Sequence, residues 1–133
     1  MSNALYTKGK EKLLNGGINL ETDTIKAVLI DTGTYTPNLA THEFLSDVAG
    51  GARLGTPQTL ANKTFVGGVF DADDVSFTGL TATSCEAVLL YKDTGSAATS
   101  PLLGLFDTGT GLPVTPSGGI TVIAWNASGI FSL

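Results

Sequence analysis

A chain of 133 residues has the length of a single domain, and its 42% hydrophobic and 14% charged content is typical of a packed globule and excludes a disordered chain. The single cysteine, Cys85, excludes an intrachain disulfide. No apolar run approaches the roughly 20 residues of a membrane span, and the first ten residues have no apolar signal core. We therefore expect a protein that is made and folded in a cytoplasm and has no membrane partner.

The net charge of −5 is unevenly distributed along the chain. Residues 1–12 contain Lys8, Lys10 and Lys12 against one Glu, which gives +2, whereas the other 121 residues have four basic and eleven acidic groups, which gives −7. Nucleic-acid binding depends on the neutralisation of phosphates by Lys and Arg, so the acidic body excludes nucleic acid as an expected partner. The basic segment is either a docking surface for an acidic neighbour or a solvated helix face.

The first 17 residues predict an N-terminal helical arm. Ser2 or Asn3 can cap the helix, because either side chain accepts a hydrogen bond from the first turn. An apolar stripe runs over 5–13, and the glycines in 15–17 can end the helix in the left-handed conformation. Gly9 lies in the middle of this helix at a cost of about 1 kcal/mol relative to Ala, which indicates either a close approach to another backbone or chance.

The stretch 24–31 predicts a central strand that is covered on both faces. Its odd residues, among them Ile25 and Leu29, point one way and its even residues the other, and both sets are mostly apolar. Two further apolar strands are predicted, at 86–92 and 102–106. All three strands are followed by Asp-Thr-Gly.

The remaining segments predict short strands joined by tight turns. A short second helix is left open at 42–47, with Thr41 as its cap. Strands are expected at 59–65, 66–71 and 75–79, and a last hairpin at 120–125 and 129–133. The sequence therefore predicts one mainly β domain over 1–133, an antiparallel β-sandwich or barrel with an N-terminal α-helix.

The Asp-Thr-Gly triplets, at Asp31, Asp93 and Asp107, have two interpretations. Aspartic proteases use this motif, and a dimer of short chains would bring together the two carboxylates that share a proton. Three copies are too many for such a pair, and Thr34 follows the first triplet where those enzymes have a small residue. Asp and Gly are also the residues that tight turns require, so we interpret the triplets as turns.

Other candidate chemistry is weak in this sequence. Asp71, Asp73 and Asp74 could hold a cation, but the Gly and Glu of a calcium loop are not in place, which favours a turn. The single histidine, His42, has the pattern of a surface or capping residue. Cys85 begins an apolar strand, which favours a small buried hydrophobe over a nucleophile. We expect no cofactor, no metal and no enzymatic activity.

Several segments resemble a family of small virion proteins of tailed bacteriophages. The segments that carry this resemblance are Leu5-Tyr-Thr-Lys-Gly9, Leu14-Asn-Gly-Gly-Ile-Asn-Leu20, Asp23-Thr-Ile-Lys-Ala-Val-Leu-Ile-Asp31, Thr41-His-Glu-Phe-Leu-Ser-Asp47, Gly79-Leu-Thr81, Tyr91-Lys-Asp-Thr-Gly95 and Gly111-Leu-Pro-Val-Thr-Pro116. The resemblance covers nearly the whole chain. It implies a structural protein that is present in many copies in the virion and decorates or cements the capsid, and it implies no catalytic residues.

The expected function is therefore a non-enzymatic capsid decoration protein that binds the major capsid protein and forms a trimer or hexamer. The alternatives are a small dimeric hydrolase of the aspartic-protease type, a tail-associated protein and a surface-binding β-sandwich module. The basic helix and the apolar C-terminus are the expected contact surface, with an aromatic anchor in the helix. Its candidate residues are Leu5, Tyr6, Lys8, Lys10, Lys12, Phe131 and Leu133.

Overall fold

A computed structural model describes residues 3–81 and 84–132. The fold is mainly β with antiparallel sheets and one helix near the N-terminus, as predicted; the sheets do not close into a barrel, so the sandwich form of the prediction is the one observed. The elements are β1 (Ala4–Leu5), α1 (Thr7–Asn15), β2 (Ile25–Ile30), β3 (Arg53–Thr59), β4 (Val69–Phe70), β5 (Val75–Thr78), β6 (Ala87–Lys92), β7 (Leu102–Phe106), β8 (Ile120–Ile123) and β9 (Phe131–Ser132).

The main sheet has five strands in the order β1-β7-β6-β2-β3. Strand β2 lies inside this sheet, paired with β6 on one side and β3 on the other, so the prediction of a central strand is confirmed. Ile25 and Leu29 belong to the core cluster on one face, and Val28 and Ile30 to the cluster on the other. Strand β2 therefore has an apolar side chain at nearly every position because both faces are covered.

Two small sheets, β4–β9 and β5–β8, cover the first face of the main sheet. Val75 and Phe77 on β5 alternate with exposed residues and pack into the core together with Ile123 on β8. Trp125 follows β8, and its indole N–H donates a 3.0 Å hydrogen bond to the carbonyl oxygen of Asp73. This face is the sandwich-like half of the molecule.

The long connection between β2 and β3 covers the second face. It contributes Tyr35, Leu45 and Val48, which are buried against Tyr6 at the start of α1. The Tyr6 and Tyr35 hydroxyls are 2.8 Å apart, and the Tyr35 hydroxyl is 2.7 Å from Nδ1 of His42. Buried polar groups need such partners, so the only histidine is a structural link in this layer.

The described part of the predicted N-terminal arm, from Asn3 onwards, packs on the rest of the fold through strand β1 and the buried Tyr6. The helix begins at Thr7, later than the predicted caps allow, because residues 4–5 pair with β7 as strand β1. Asn3 does not cap the helix: its side chain accepts the Asp107 N–H at 2.8 Å and donates to the Thr108 hydroxyl at 2.7 Å. The other predicted cap, Ser2, lies outside the described residues. Gly16 ends the helix at φ 82°, as predicted.

Helix α1 packs directly on strand β7. A Cβ atom at Gly9 would lie 2.6 Å from the carbonyl oxygen of Leu102 and 2.9 Å from that of Leu103. Both distances are shorter than a van der Waals contact, so only glycine fits between the two backbones. The close approach suggested by this glycine is confirmed.

The possible short second helix at 42–47 is present only as a single 3₁₀ turn, Leu45–Asp47, stabilised by the Asp47 carboxylate and not by Thr41. Three strand predictions differ from the structure. The strand predicted over 59–65 lies earlier, at 53–59, and only the end of the one predicted over 66–71 forms. The C-terminal hairpin does not exist, because β8 pairs with β5 and β9 with β4. Each strand finds a distant partner that its apolar face can cover.

Candidate protein interface

Two of the three Asp-Thr-Gly triplets form the predicted turns. The Asp31 carboxylate accepts the Gly33 N–H and the Thr34 hydroxyl, each at 2.9 Å. The Asp93 carboxylate accepts the Gly95 N–H at 3.1 Å. These are side-chain-to-backbone bonds that replace a backbone turn. The third triplet differs, because its backbone N–H at Asp107 donates to Asn3.

The three carboxylates follow different strand ends. Strands β2 and β6 are antiparallel, so Asp31 and Asp93 lie at opposite ends of the sheet. Asp31 and Asp107 lie at the same end but follow β2 and β7, which are separated by β6. That separation is two strand spacings, about 10 Å, whereas a proton-sharing pair of carboxylates must be in direct contact. A single chain therefore brings no two of these aspartates together.

Two acidic side chains at the sheet ends, Asp93 and Glu86, are held as carboxylates. The Gly95 N–H, with Lys26 at 3.2 Å, lowers the pKa of Asp93. Hydrogen bonds from Ser84 and from Thr32 lower the pKa of Glu86. Such bonds favour the charged form of a carboxyl group. These side chains are therefore suited to accept hydrogen bonds and not to donate protons in a reaction.

Cys85 lies in the core, as expected for a small buried hydrophobe. Burial, with the nearby charges of Glu86 and Asp31, raises the pKa of the Cys85 thiol to about 11. The thiolate is the nucleophilic form of cysteine. At neutral pH, therefore, nearly all of this side chain is the unreactive thiol.

The three clustered aspartates have separate partners. Asp71 accepts the N–H of Ala72, Asp73 accepts the Asn62 amide at 2.5 Å, and Asp74 accepts the N–H of Trp125 at 3.3 Å. Within 3–81 and 84–132, no group of three or more His, Cys, Asp or Glu side chains is placed to hold a metal ion.

Three of the residues expected at a protein interface converge on one groove. Leu5 on β1, Lys10 on α1 and Phe131 on β9 line a groove of about 260 Å³, although β9 is more than 120 positions away in sequence. Phe131 is held in place by two other rings, Phe70 at 5.3 Å and Phe106 at 6.1 Å between centroids. The groove therefore combines an apolar wall with an exposed lysine at its edge.

The other expected interface residues do not share this groove. Tyr6 was expected to be an exposed aromatic anchor, but its side chain is fully buried and bonded to Tyr35, so that part of the prediction is wrong. Lys12 is paired with Glu43 at 2.9 Å, and Lys8 lies 3.5 Å from a Glu on the same helix face. Leu133 lies outside the described residues. Lys10 makes no ion pair in the part of the chain that the structure describes.

A second groove, which sequence reasoning missed, lies next to the first. It has a volume of about 170 Å³, an almost wholly apolar lining, and shares Phe131 with its neighbour. Phe65 lines it, and the adjacent Val66 is 85% exposed. Leu14 on α1 is 88% exposed. The sequence signal for this groove is the apolar pair Phe65-Val66 directly before Gly67-Gly68, because residues next to a glycine turn lie at the surface.

Neither the family models nor the curated proteins contain a match to this chain. Within the described ranges, none of the helices combines the length and the apolar character that crossing a bilayer requires.

Proposed function

We propose that the chain is a non-enzymatic structural protein of a tailed-bacteriophage virion, a decoration protein that binds the major capsid protein in many copies. The observation that carries this proposal is the convergence of Leu5, Lys10 and Phe131 on one groove. The resemblance of the sequence to small virion proteins supplies the class of partner.

The groove has the chemistry of a protein-binding surface. Its lining is mainly apolar, with the Phe70 and Phe106 rings packed against Phe131, and aromatic side chains are favoured interface anchors. The adjacent apolar groove and the exposed Val66 extend this surface. Large exposed apolar areas on a small protein mark sites of interaction. The groove and its extension together form a continuous docking face for an apolar segment of the capsid protein.

Lys10 gives the docking face its selectivity. It is exposed on α1, in the basic part of an otherwise acidic chain. An acidic side chain beside the apolar segment of the partner would pair with it, whereas a basic one would be repelled by the same charge. The contact is solvent-exposed, so its contribution to affinity falls as salt is added.

The experiment is an incorporation assay with purified protein and capsids that lack it. Deletion of residues 1–12 is unsuitable, because it removes strand β1 and the buried Tyr6. Lys10→Gln leaves the fold intact and changes the net charge by −1. Thr56→Glu makes the same change in net charge on β3, at the opposite edge of the main sheet, and is the matched control.

We expect Lys10→Gln to weaken capsid binding about three- to tenfold at low salt, and Thr56→Glu to bind like the wild type. Equal binding by all three proteins would exclude Lys10 from the interface. A wild-type protein that never joins a capsid, and is absent from purified particles by mass spectrometry, would contradict the decoration role. Pepstatin-sensitive proteolysis by the purified protein would favour the hydrolase alternative.

A further inference from the structure

A cavity at the opposite edge of the main sheet contains the only arginine of the chain. Arg53 begins β3 and is paired with Ile30, so its side chain projects over the second face of the sheet. Val28, Leu45 and Tyr91 form the buried floor of a cavity of about 300 Å³, and Arg53 lines its side.

The Arg53 guanidinium is unsatisfied. Its Nε atom is buried and has no hydrogen-bond partner, the only such side-chain atom within the described residues. The ion pairs and side-chain hydrogen bonds of these residues include none to the Arg53 side chain, whose backbone N–H donates to the carbonyl oxygen of Gly50. Asp93 is the carboxylate whose negative charge raises the pKa of Tyr91, but it is already paired with Lys26 at 3.2 Å. The Arg53 side chain therefore has no acceptor in the part of the chain that the structure describes, and its charge is available to a ligand in the cavity.

We propose that the Arg53 cavity is a binding site for a carboxylate group. Guanidinium matches carboxylate in a planar two-point hydrogen bond, in which the two Nη atoms donate in parallel. The Nη2 atom lies towards Gly50, which also lines the cavity. Neither Nη atom is hydrogen-bonded or buried without a partner, so both are open to an acceptor that enters the cavity. Tyr91 also lines the cavity, and a tyrosine hydroxyl can donate a hydrogen bond to a carboxylate as well.

The surroundings favour a carboxylate over a phosphate. The chain is acidic overall, with a net charge of −5, and a dianion is repelled about twice as strongly as a monoanion by the same field. The floor of the cavity is apolar, which suits the methylene stem of an acidic side chain. Gly50, Gly55 and Pro57 present little side-chain bulk at the mouth, which leaves room for the peptide groups that flank such a residue.

The experiment uses NMR of the full-length protein. Because the chain has one arginine, its Nε–H signal needs no further assignment. The probes are N-acetylglutamate N-methylamide, its neutral glutamine counterpart, acetate and inorganic phosphate, each titrated to about 50 mM at constant ionic strength.

We expect a saturable shift of the Arg53 Nε–H signal with the glutamate analogue, half-complete in the low millimolar range as for other fragments of this size, and none with the glutamine analogue. Saturation by acetate at the same concentration would indicate that the natural ligand is a free acid. Saturation by the glutamate analogue alone would indicate that the natural ligand is an acidic side chain of a protein. Absence of saturation, or a response to phosphate as strong as that to carboxylates, would overturn the proposal.

Variants separate binding from folding. In Arg53→Gln the amide signals of Gly50 and Gly55 replace the lost Nε–H as reporters, and we expect their carboxylate-dependent shifts to disappear. The variant should unfold at the same temperature as the wild type or a higher one, since it removes an unsatisfied donor. A large fall in melting temperature would show that Arg53 serves the fold instead. The result does not depend on the virion role, because no capsid is used.

Discussion

Gly9 shows how one residue without a side chain sets the position of a helix. Its backbone lies against the carbonyl oxygens of Leu102 and Leu103. Alanine is about 1 kcal/mol better than glycine inside a helix, so a free helix would gain from Gly9→Ala. In the folded protein the new methyl group meets backbone atoms that cannot rotate away, and α1 must move off β7.

We expect Gly9→Ala to lower the free energy of unfolding by about 1–3 kcal/mol, as other overpacked sites do. Chemical denaturation measures this directly. Gly51→Ala is the matched control, because nothing lies within 4 Å of a Cβ at that position; it should change stability by less than about 0.5 kcal/mol. A Gly9→Ala protein as stable as the wild type would mean that the helix is not held this closely.

For single residues, hydrogen bonds within turns could be predicted from the sequence better than the exposure of side chains. Asp31 and Asp93 accept hydrogen bonds from residues two or three positions ahead, and such local bonds can be anticipated from the residue types alone. Tyr6 was misassigned because its exposure depends on Tyr35, 29 positions away. Likewise, the open cavity beside Arg53 leaves no mark in the local pattern.

Among the elements, the strands with a continuous or alternating apolar pattern could be predicted, including β5 and β8 of the outer layer, whereas the two-residue strands could not. Strands β2, β6 and β7 are continuous apolar runs ended by turns, so their position follows from local pattern. Strands β4 and β9 have two residues each and exist only because they pair with each other. Two residues carry no periodicity, and the partner of such a strand is decided by packing across the molecule.

Strand β8 presents a second exposed apolar face. Ile120 is 72% and Val122 49% exposed, whereas Thr121 and Ile123 between and beside them are buried. Contact with a second copy of the chain would cover both side chains, in keeping with the proposed homo-oligomer. We expect the double variant Ile120→Thr, Val122→Thr to shift the protein towards monomer in analytical ultracentrifugation, with little loss of stability because the changed side chains face outwards.

Thr78→Val is the complementary variant, because Thr78 pairs with Ile120 on the same exposed face. It adds apolar area and should strengthen self-association. If the wild-type protein is monomeric at all concentrations, or if both variants associate like the wild type, the face of β8 does not join copies of the chain.

For the whole molecule, the hydrogen-bonded carboxylates predict sensitivity to acid. The N–H groups of Glu43 and Phe44 lower the pKa of Asp47, and bonds to Asn19 and Lys92 lower that of Asp23; Asp93 and Glu86 are shifted the same way. A carboxyl group whose pKa is lower in the folded than in the unfolded protein stabilises the fold at pH values above its ordinary pKa, which is near 4. This stabilisation is lost as the pH falls through the pKa that the group has in the folded protein.

We therefore expect the free energy of unfolding to be nearly constant between about pH 7 and 5 and to fall between about pH 4 and 2. Chemical denaturation at several pH values measures the profile. Asp47→Asn should reduce the steepness of the fall, because it removes one of the shifted groups. Glu21→Gln, at an exposed position, should keep the wild-type profile. A stability that rises towards pH 2 would contradict the assignment of these bonds.

The pairing of β1 with β7 has a kinetic consequence. Asn3 bonds to Thr108, 105 positions later, and contacts this far apart in sequence form slowly, because a long loop must close first. On the ribosome, the beginning of the chain must wait until most of the remainder has emerged. The groove between Leu5, Lys10 and Phe131 is therefore the last part of the surface to be completed. A chain that ends before Phe131 lacks part of this groove; if the groove is the docking face proposed above, only fully synthesised molecules would dock.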